Sequence, residues 1–243
     1  MHDALESRFE ALISRDRFWF RQAQRLRHRS FMAEPEDAAL PLSCLDDRLD
    51  DYCQHVVVRD INEDVTVGAC RILAPDDARR AGGYESDRLF DLEMLGLLRE
   101  RMVEVGRACI HPEYRGELVM RRVLSALARY LIENGLDHVI GSADLDIGDG
   151  GHRAASIHRI AWERSASPED YRVFPLKPLP LDILSDTRGA SPPPVLRALL
   201  ESGAWVSGEP AVSPDGDSAL IPFLLPLARM RDRYARQFLA DAA

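Results

Sequence analysis

The stretch Val103-Glu104-Val105-Gly106-Arg107-Ala108-Cys109-Ile110-His111-Pro112-Glu113-Tyr114-Arg115-Gly116 decides the fold of this 243-residue chain. Met102 to Ile110 reads as a strand that stops at His111-Pro112, because proline has no N–H to donate to a sheet ladder. Residues 117–133 then give the clearest helical pattern in the chain, with Met120, Val123, Leu124, Leu127 and Leu131 on one stripe and Asn134-Gly135 as the stop. A strand ending in a tight turn that opens into a long helix places backbone N–H groups at the helix N-terminus, where a phosphate can sit. Glu104 is out of place in such a strand. Alternation puts it on one face with Gly106, and puts Arg107 on the other face with Val105 and Cys109. A charge there is costly unless it is paired or functional. Burial can raise a carboxylate pKa and suit it to work as a general base. A structural ion pair and a general base both remain open at this point.

Working outward, a strand is predicted around 138–142, and the runs 55–59 (HVVVR) and 65–73 form an antiparallel hairpin about a turn at Asn62 to Asp64. Residues 5–30 read as one amphipathic, Arg-rich helix, from Leu5, Phe9, Leu12 and Ile13 onward. Residues 33–51 and Pro75 to Tyr84 read as polar loops, and 90–98 as a short helix. A helix is expected at 152–164, a Pro-rich stretch with little periodicity at 165–194, a short helix at 195–202, strands at 204–208 and 219–225, and a final helix at 227–239. The order is that of a mixed α/β arrangement around one sheet.

Composition excludes several classes. Hydrophobic residues make up 46% and charged residues 29%, as in a globular protein that buries a core, not a disordered or fibrous chain. The net charge of −9 has the wrong sign for a protein that binds nucleic acid with its whole surface. No apolar run approaches the roughly 18 residues needed to span a bilayer. The N-terminus MHDALESRFEALISRDR has acids from residue 3 and no apolar core segment, so a cytoplasmic protein is expected. Cys44, Cys53, Cys70 and Cys109 form no CxxC pair, which argues against a zinc ribbon and for reduced thiols. Asp144, Asp146 and Asp149 stand near His152, but DLDIGDGG lacks the Glu of a calcium loop at the right distance, so no metal site is expected. No Walker loop, dinucleotide fingerprint or Gly-x-Ser-x-Gly elbow is present.

EVGRACIHPEYRG resembles the central strand and acyl-carrier loop of the GNAT acyltransferase superfamily. More narrowly, it is similar to the ornithine N-acyltransferases, which make lyso-ornithine lipid from acyl-[acyl carrier protein], and to the acyl-homoserine-lactone synthases and long-chain N-acyl amino acid synthases. Other blocks agree in order. Arg27 and Phe31 match an R-x3-F, and Asp47 and Asp50 with Cys53 and His55 match a D-x2-D…C-x-H run. Gly68 and Arg71 match G-x2-R, and Glu104 and Arg107 match E-x2-R. Pro193-Pro194, Gly203-Ala204 and Gly208-Glu209-Pro210-Ala211 match the C-terminal block of the ornithine branch.

The resemblance implies one GNAT-like domain over 1–243, with a C-terminal extension from about 165, and a mixed, mostly antiparallel central sheet flanked by helices and splayed to admit a phosphopantetheine arm. It implies acyl transfer to the α-amine of ornithine with no bound cofactor, the acyl-phosphopantetheine thioester being the donor substrate. Glu104 would take the amine proton. Arg27, Phe31, Asp47, Asp50, Arg71 and Arg107 would form the acyl-site network, and Ile110, Arg115 and Gly116 the phosphopantetheine loop.

Two departures stand out. Arg115-Gly116-Glu117-Leu118-Val119 lacks the loop's second glycine and adds an acid where a phosphate would approach, which fits a donor carried by a protein better than tight coenzyme A binding. Val212-Ser213-Pro214-Asp215-Gly216 departs from the family after GEPA, which bears on the amine. Arg15, Arg17, Arg21, Arg25, Arg27 and Arg29 form a basic stretch in an acidic chain, either a docking surface for acidic acyl carrier protein or a solvated helix face. The 227–239 segment has Arg229, Arg233 and Arg236 around an apolar face, which reads either as core packing or as peripheral contact with the inner membrane. The alternatives to ornithine acylation are N-acyl amino acid or homoserine-lactone-like synthesis, and a module that binds acyl chains or carrier protein without catalysis.

Overall fold

The computed structural model describes residues 8–31, 47–114 and 117–230. They fall into two compact units: 8–31, 47–81, 105–114 and 117–134 in one, and 82–104 with 135–230 in the other.

In the first unit the strand order is β1 (Phe9–Ser14), β2 (Gln54–Asp60), β3 (Val65–Leu73) and the C-terminal part of β5 (Met102–Ile110). The expected hairpin is present, with β2 antiparallel to β3 from Gln54↔Ile72 to Asp60↔Val65. The single helix expected over 5–30 is divided. Phe9–Ser14 is a strand antiparallel to β2, and the helix α1 runs from Arg17 to Phe31. The local cause is a cap: the Asp16 carboxylate accepts the Phe18 N–H at 2.7 Å, and the Asp16 N–H is held by the Ser14 hydroxyl at 2.9 Å. Pairing along the β-branched run of β2 then overrides the helical spacing of Phe9, Leu12 and Ile13.

A second correction is α2 (Pro75–Ala81), where a loop was expected. Proline is pre-set for a first helical turn, and Asp76 and Asp77 at the start with Arg79 and Arg80 at the end suit the helix dipole. The helix α3 spans Glu117–Glu133, as its apolar stripe predicts. It packs beside Gly68, where a Cβ would lie 2.7 Å from Val119 Cγ1. The next residue, Ala69, faces the other way and joins Ala23, Leu26, Val57 and Cys109 in the core under α1. This part of the sheet is therefore covered by a helix on each face.

In the second unit the N-terminal part of β5 pairs in parallel with β6 (His138–Asp146) from Met102↔His138 to Glu104↔Ile140. The strand β10 (Ser218–Pro226) is antiparallel to β6 along its length and also pairs with β8 (Trp205–Val206) and β9 (Ala211–Val212). The helices α4 (His152–Ser165) and α5 (Pro194–Ser202) pack on this sheet through Ala154, Ala155, Ile157, Leu196 and Leu200 against Ile221. The two-residue strands β4 (Phe90–Asp91) and β7 (Phe174–Pro175) make a small separate sheet. Residues 90–98 are not a regular α-helix: Glu93–Arg101 is 3-10 helix. Of the final helix expected at 227–239, Leu227–Arg229 is a 3-10 turn, and 231–243 lie outside the described residues. The mixed, mostly antiparallel sheet with helices matches the expectation from the sequence.

Candidate active site

Glu104 is the last residue of β5 paired with β6, and it is 6% exposed. Its carboxylate accepts three hydrogen bonds: from the Glu85 N–H at 2.6 Å, from the Ser86 N–H at 2.8 Å, and from the Ser86 hydroxyl. All three donors are neutral, and among the described residues no cation pairs with it, so Glu104 is not half of an ion pair. Burial pushes its pKa above the ordinary glutamate value. The donors from Ser86 and Glu85 act in the opposite direction, and the nearby Glu85 charge adds to the rise. About four lone-pair positions are available on a carboxylate, so one acceptor position stays open for a proton.

The second cluster gathers five of the predicted network residues in the first unit. The Asp50 carboxylate sits between Arg27, at 3.4 Å through both nitrogens, and Arg71, at 3.2 Å. Asp47 lies 2.9 Å from Arg71 and 2.8 Å from Arg107. The two aspartates are tied by the Asp47 N–H to Asp50 at 3.2 Å, and the Leu49 N–H caps Asp47 at 3.0 Å. Burial alone would raise the Asp47 pKa. The Arg71 charge, the Leu49 N–H and Arg107 outweigh it and hold the group well below the usual carboxylate range. Asp50 and Arg71 are buried, whereas the Arg107 side chain is 41% exposed. Arg107 has φ of 54°, in the left-handed region that costs a non-glycine residue about 1–2 kcal/mol. That departure breaks the alternation expected for β5: Arg107 is exposed while Cys109 is buried.

Phe31 ends α1, but its side chain lies outside the described residues, as do Arg115 and Gly116. Ile110 ends β5, and its carbonyl accepts the Ser30 hydroxyl at 3.2 Å. His152 and His158 do not meet. His152 Nδ1 accepts the Ser185 N–H at 3.0 Å, and His158 Nε2 lies 3.1 Å from the Gly208 carbonyl within the GEPA block. Asp149 caps α4 by accepting the Gly151 and Arg153 N–H groups at 2.9 and 2.8 Å. Among the described residues, no group of three or more His, Cys, Asp or Glu side chains is placed to hold a metal ion.

Sequence reasoning matched His55 to a family block without giving it a role in the site, and it missed Glu85 and Ser86. His55 is 1% exposed beside the Asp50 cluster, its ring tilted against that of Phe20 with centroids 5.1 Å apart, and neither ring nitrogen makes a hydrogen bond of good geometry. Burial, together with the Arg27 and Arg71 charges, pushes its pKa well down against the pull of Asp50, so the ring is neutral. A polar residue at the head of the apolar run of β2 was the available signal. Glu85 and Ser86 carried no signal, since their role depends on meeting Glu104, 19 and 18 residues away.

Residues 26–125 match the acetyltransferase (GNAT) domain. Over most of its length the chain is similar to two proteins named L-ornithine N(alpha)-acyltransferase. The one from Rhizobium meliloti (strain 1021) is 29% identical over 240 residues, covering 90% of this chain and 80% of the relative. The one from Rhodobacter capsulatus is 28% identical over 248 residues, covering 95% and 94%. The protein is an acyltransferase. The fold of this acyltransferase is also that of two solved structures. A putative N-acetyltransferase from Lactobacillus plantarum superposes with a TM-score of 0.50 at 15% identity, over 90% of this chain and 98% of the other. The AHL synthase LasI gives 0.50 at 14% identity, over 90% of each. No helix among the described residues is long and apolar enough to cross a membrane.

Proposed function

We propose that the protein transfers a long-chain (3-hydroxy)acyl group from acyl-[acyl carrier protein] to the α-amine of ornithine, giving lyso-ornithine lipid. The observation that carries the reading is the similarity, along nine-tenths or more of the chain, to proteins named for acylating ornithine at that nitrogen. In the proposed reaction the amine nitrogen attacks the thioester carbonyl. A C–N bond forms and the C–S bond breaks. The amine proton passes to Glu104, and the departing thiolate takes up a proton to leave as thiol. No covalent enzyme intermediate is needed, because a neutral amine attacks a thioester directly. The protein supplies a proton acceptor and positioning. The buried carboxylate of Glu104, with its raised pKa and one open acceptor position, supports the first role. The Arg27–Asp50–Arg71–Asp47–Arg107 chain supports the second, as an ordered polar frame for the acyl site. The phosphopantetheine loop is assigned to Ile110, Arg115 and Gly116, and the enzyme is placed in the cytoplasm, releasing its product at the inner membrane.

The test is a thiol-release assay with 3-hydroxyacyl-[acyl carrier protein] and ornithine, with the product identified by mass spectrometry. Thiol release with ornithine and a product acylated at the α-amine supports the reading. Equal kcat/KM for acyl-CoA overturns the donor assignment. One observation favours a second reading: the departure Val212–Gly216 runs from the end of β9 into the turn before β10, where the hydroxyl of the buried Ser213 accepts the Gly216, Asp217 and Ser218 N–H groups and Pro214 to Gly216 are exposed. Thiol release with glycine or tyrosine but not with ornithine would replace ornithine acylation by N-acyl amino acid synthesis.

A further inference from the structure

In sequence the polar loop runs from Pro75 to Tyr84 and residues 85–88 are given no element, yet every donor that holds Glu104 comes from the segment Gly82-Gly83-Tyr84-Glu85-Ser86-Asp87-Arg88. It is built in a specific way. Gly82 and Gly83 have φ of 84° and 121°, which a side chain would oppose, and a Cβ on Gly83 would meet the Asp87 carboxylate at 2.9 Å. Asp87 folds back to accept the Tyr84 N–H at 2.8 Å and is itself gripped by Arg99. The Tyr84 hydroxyl donates to the Met102 carbonyl at 2.7 Å, two residues before Glu104 on β5. The segment is thereby pinned at both ends, and the next two N–H groups and the Ser86 hydroxyl are left pointing at one carboxylate. Ser86 is 2% exposed, so water does not compete for that hydroxyl.

We propose that 82–88 is a positioning loop for Glu104, and that the Ser86 hydroxyl is the positioning group that sets the pH at which Glu104 can accept a proton. The proposal rests on Glu104 being the base of the acyl transfer. The hydroxyl stabilises the charged form, against burial and against the Glu85 charge, and Tyr84 feels the Glu104 charge in turn. Of the other charged groups on the loop, Asp87 is paired with Arg99, and Arg88 is exposed to solvent. On β6 the residue in register with Glu104 is the uncharged Ile140.

The experiment compares kcat/KM against pH for the wild type, Ser86→Ala, Ser86→Thr and Glu104→Gln, with circular dichroism to verify folding. Loss of one hydrogen bond to a carboxylate raises its pKa by about one unit. Ser86→Ala is therefore expected to move the acid limb about one pH unit upward, with a rate about tenfold lower on that limb and close to wild type on the plateau. Ser86→Thr, which keeps the hydroxyl, is expected to restore the limb. If Glu104→Gln turns over like wild type, the base assignment falls and this proposal falls with it. If Glu104→Gln is crippled while Ser86→Ala leaves the limb in place, only the positioning role is overturned. A Ser86→Ala protein with uniformly lower rate and an unmoved limb counts as the same refutation.

Discussion

Glu104 and Asp50 are both buried carboxylates, and they are held in opposite ways. Neutral donors surround Glu104, so burial wins and its proton affinity rises. Asp50 instead sits between two cations, Arg27 and Arg71. The consequences of removal differ accordingly. Glu104→Gln removes the proton acceptor from a site of nearly unchanged shape. Turnover is expected to fall about 10²–10⁴-fold with the fold retained, read as initial rates across pH beside a thermal melt. Asp50→Ala leaves two arginines facing each other without their carboxylate. Breaking a buried pair in this way costs about 3–5 kcal/mol, so the expected outcome is a large loss in urea unfolding, and a midpoint near wild type would contradict it.

At the scale of elements, α1 bears Arg17, Arg21, Arg25 and Arg29 at four-residue spacing and contains no acid. Arg27 turns to the Asp50 cluster, while Arg17, Arg25 and Arg29 are exposed. If this face meets an acidic carrier protein, Arg25→Glu with Arg29→Glu should raise KM for acyl-[acyl carrier protein] and leave acyl-CoA turnover near its starting value. Salt should act in the same direction, since exposed charges are screened beyond about 8 Å at physiological ionic strength. Equal losses with both donors would rule out docking through α1. The end of α5 is governed by backbone geometry. Gly203 has φ of 110°, and a Cβ there would lie 2.4 Å from the Arg229 carbonyl. Gly203→Ala is expected to cost more than about 1 kcal/mol, measured by chemical denaturation.

For the whole molecule, each compact unit buries one neutral histidine, His55 in one and His158 in the other. Burial pushes the His158 pKa down to about 4, despite its bond to the Gly208 carbonyl. Its folded pKa is below its unfolded value, so the unfolded chain takes up a proton first. Stability is complete above about pH 6.5 and declines as pH falls toward 4. Asp47, with a depressed pKa, adds a further loss only at lower pH, below the ordinary aspartate value. Glu104 works against this trend, because its raised pKa favours the folded state at low pH. In Glu104→Gln, which lacks that opposing carboxylate, the melting temperature is expected to drop between about pH 6.5 and 4 as the two buried histidines take up protons on unfolding. A flat profile across that window would show that neither ring is held neutral.

What the sequence determined by itself lies where local pattern and local chemistry agree. The stripe of Met120 to Leu131 specified α3, the proline after His111 ended β5, and the blocks from Arg27 to Arg107 named the residues that the structure gathers around Asp50. Tertiary structure decided the rest, because those features depend on partners distant in the chain. Phe9–Ser14 became a strand because β2 offered it a ladder that no local periodicity records. Arg107 left its expected face through a left-handed backbone. Glu104 was legible as a misplaced charge, but whether it was an ion pair or a lone carboxylate depended on which loop reached it. The answer, two backbone N–H groups and a serine hydroxyl, comes from a segment with no apolar period to read, fixed instead by two glycine dihedrals and the Asp87–Arg99 pair.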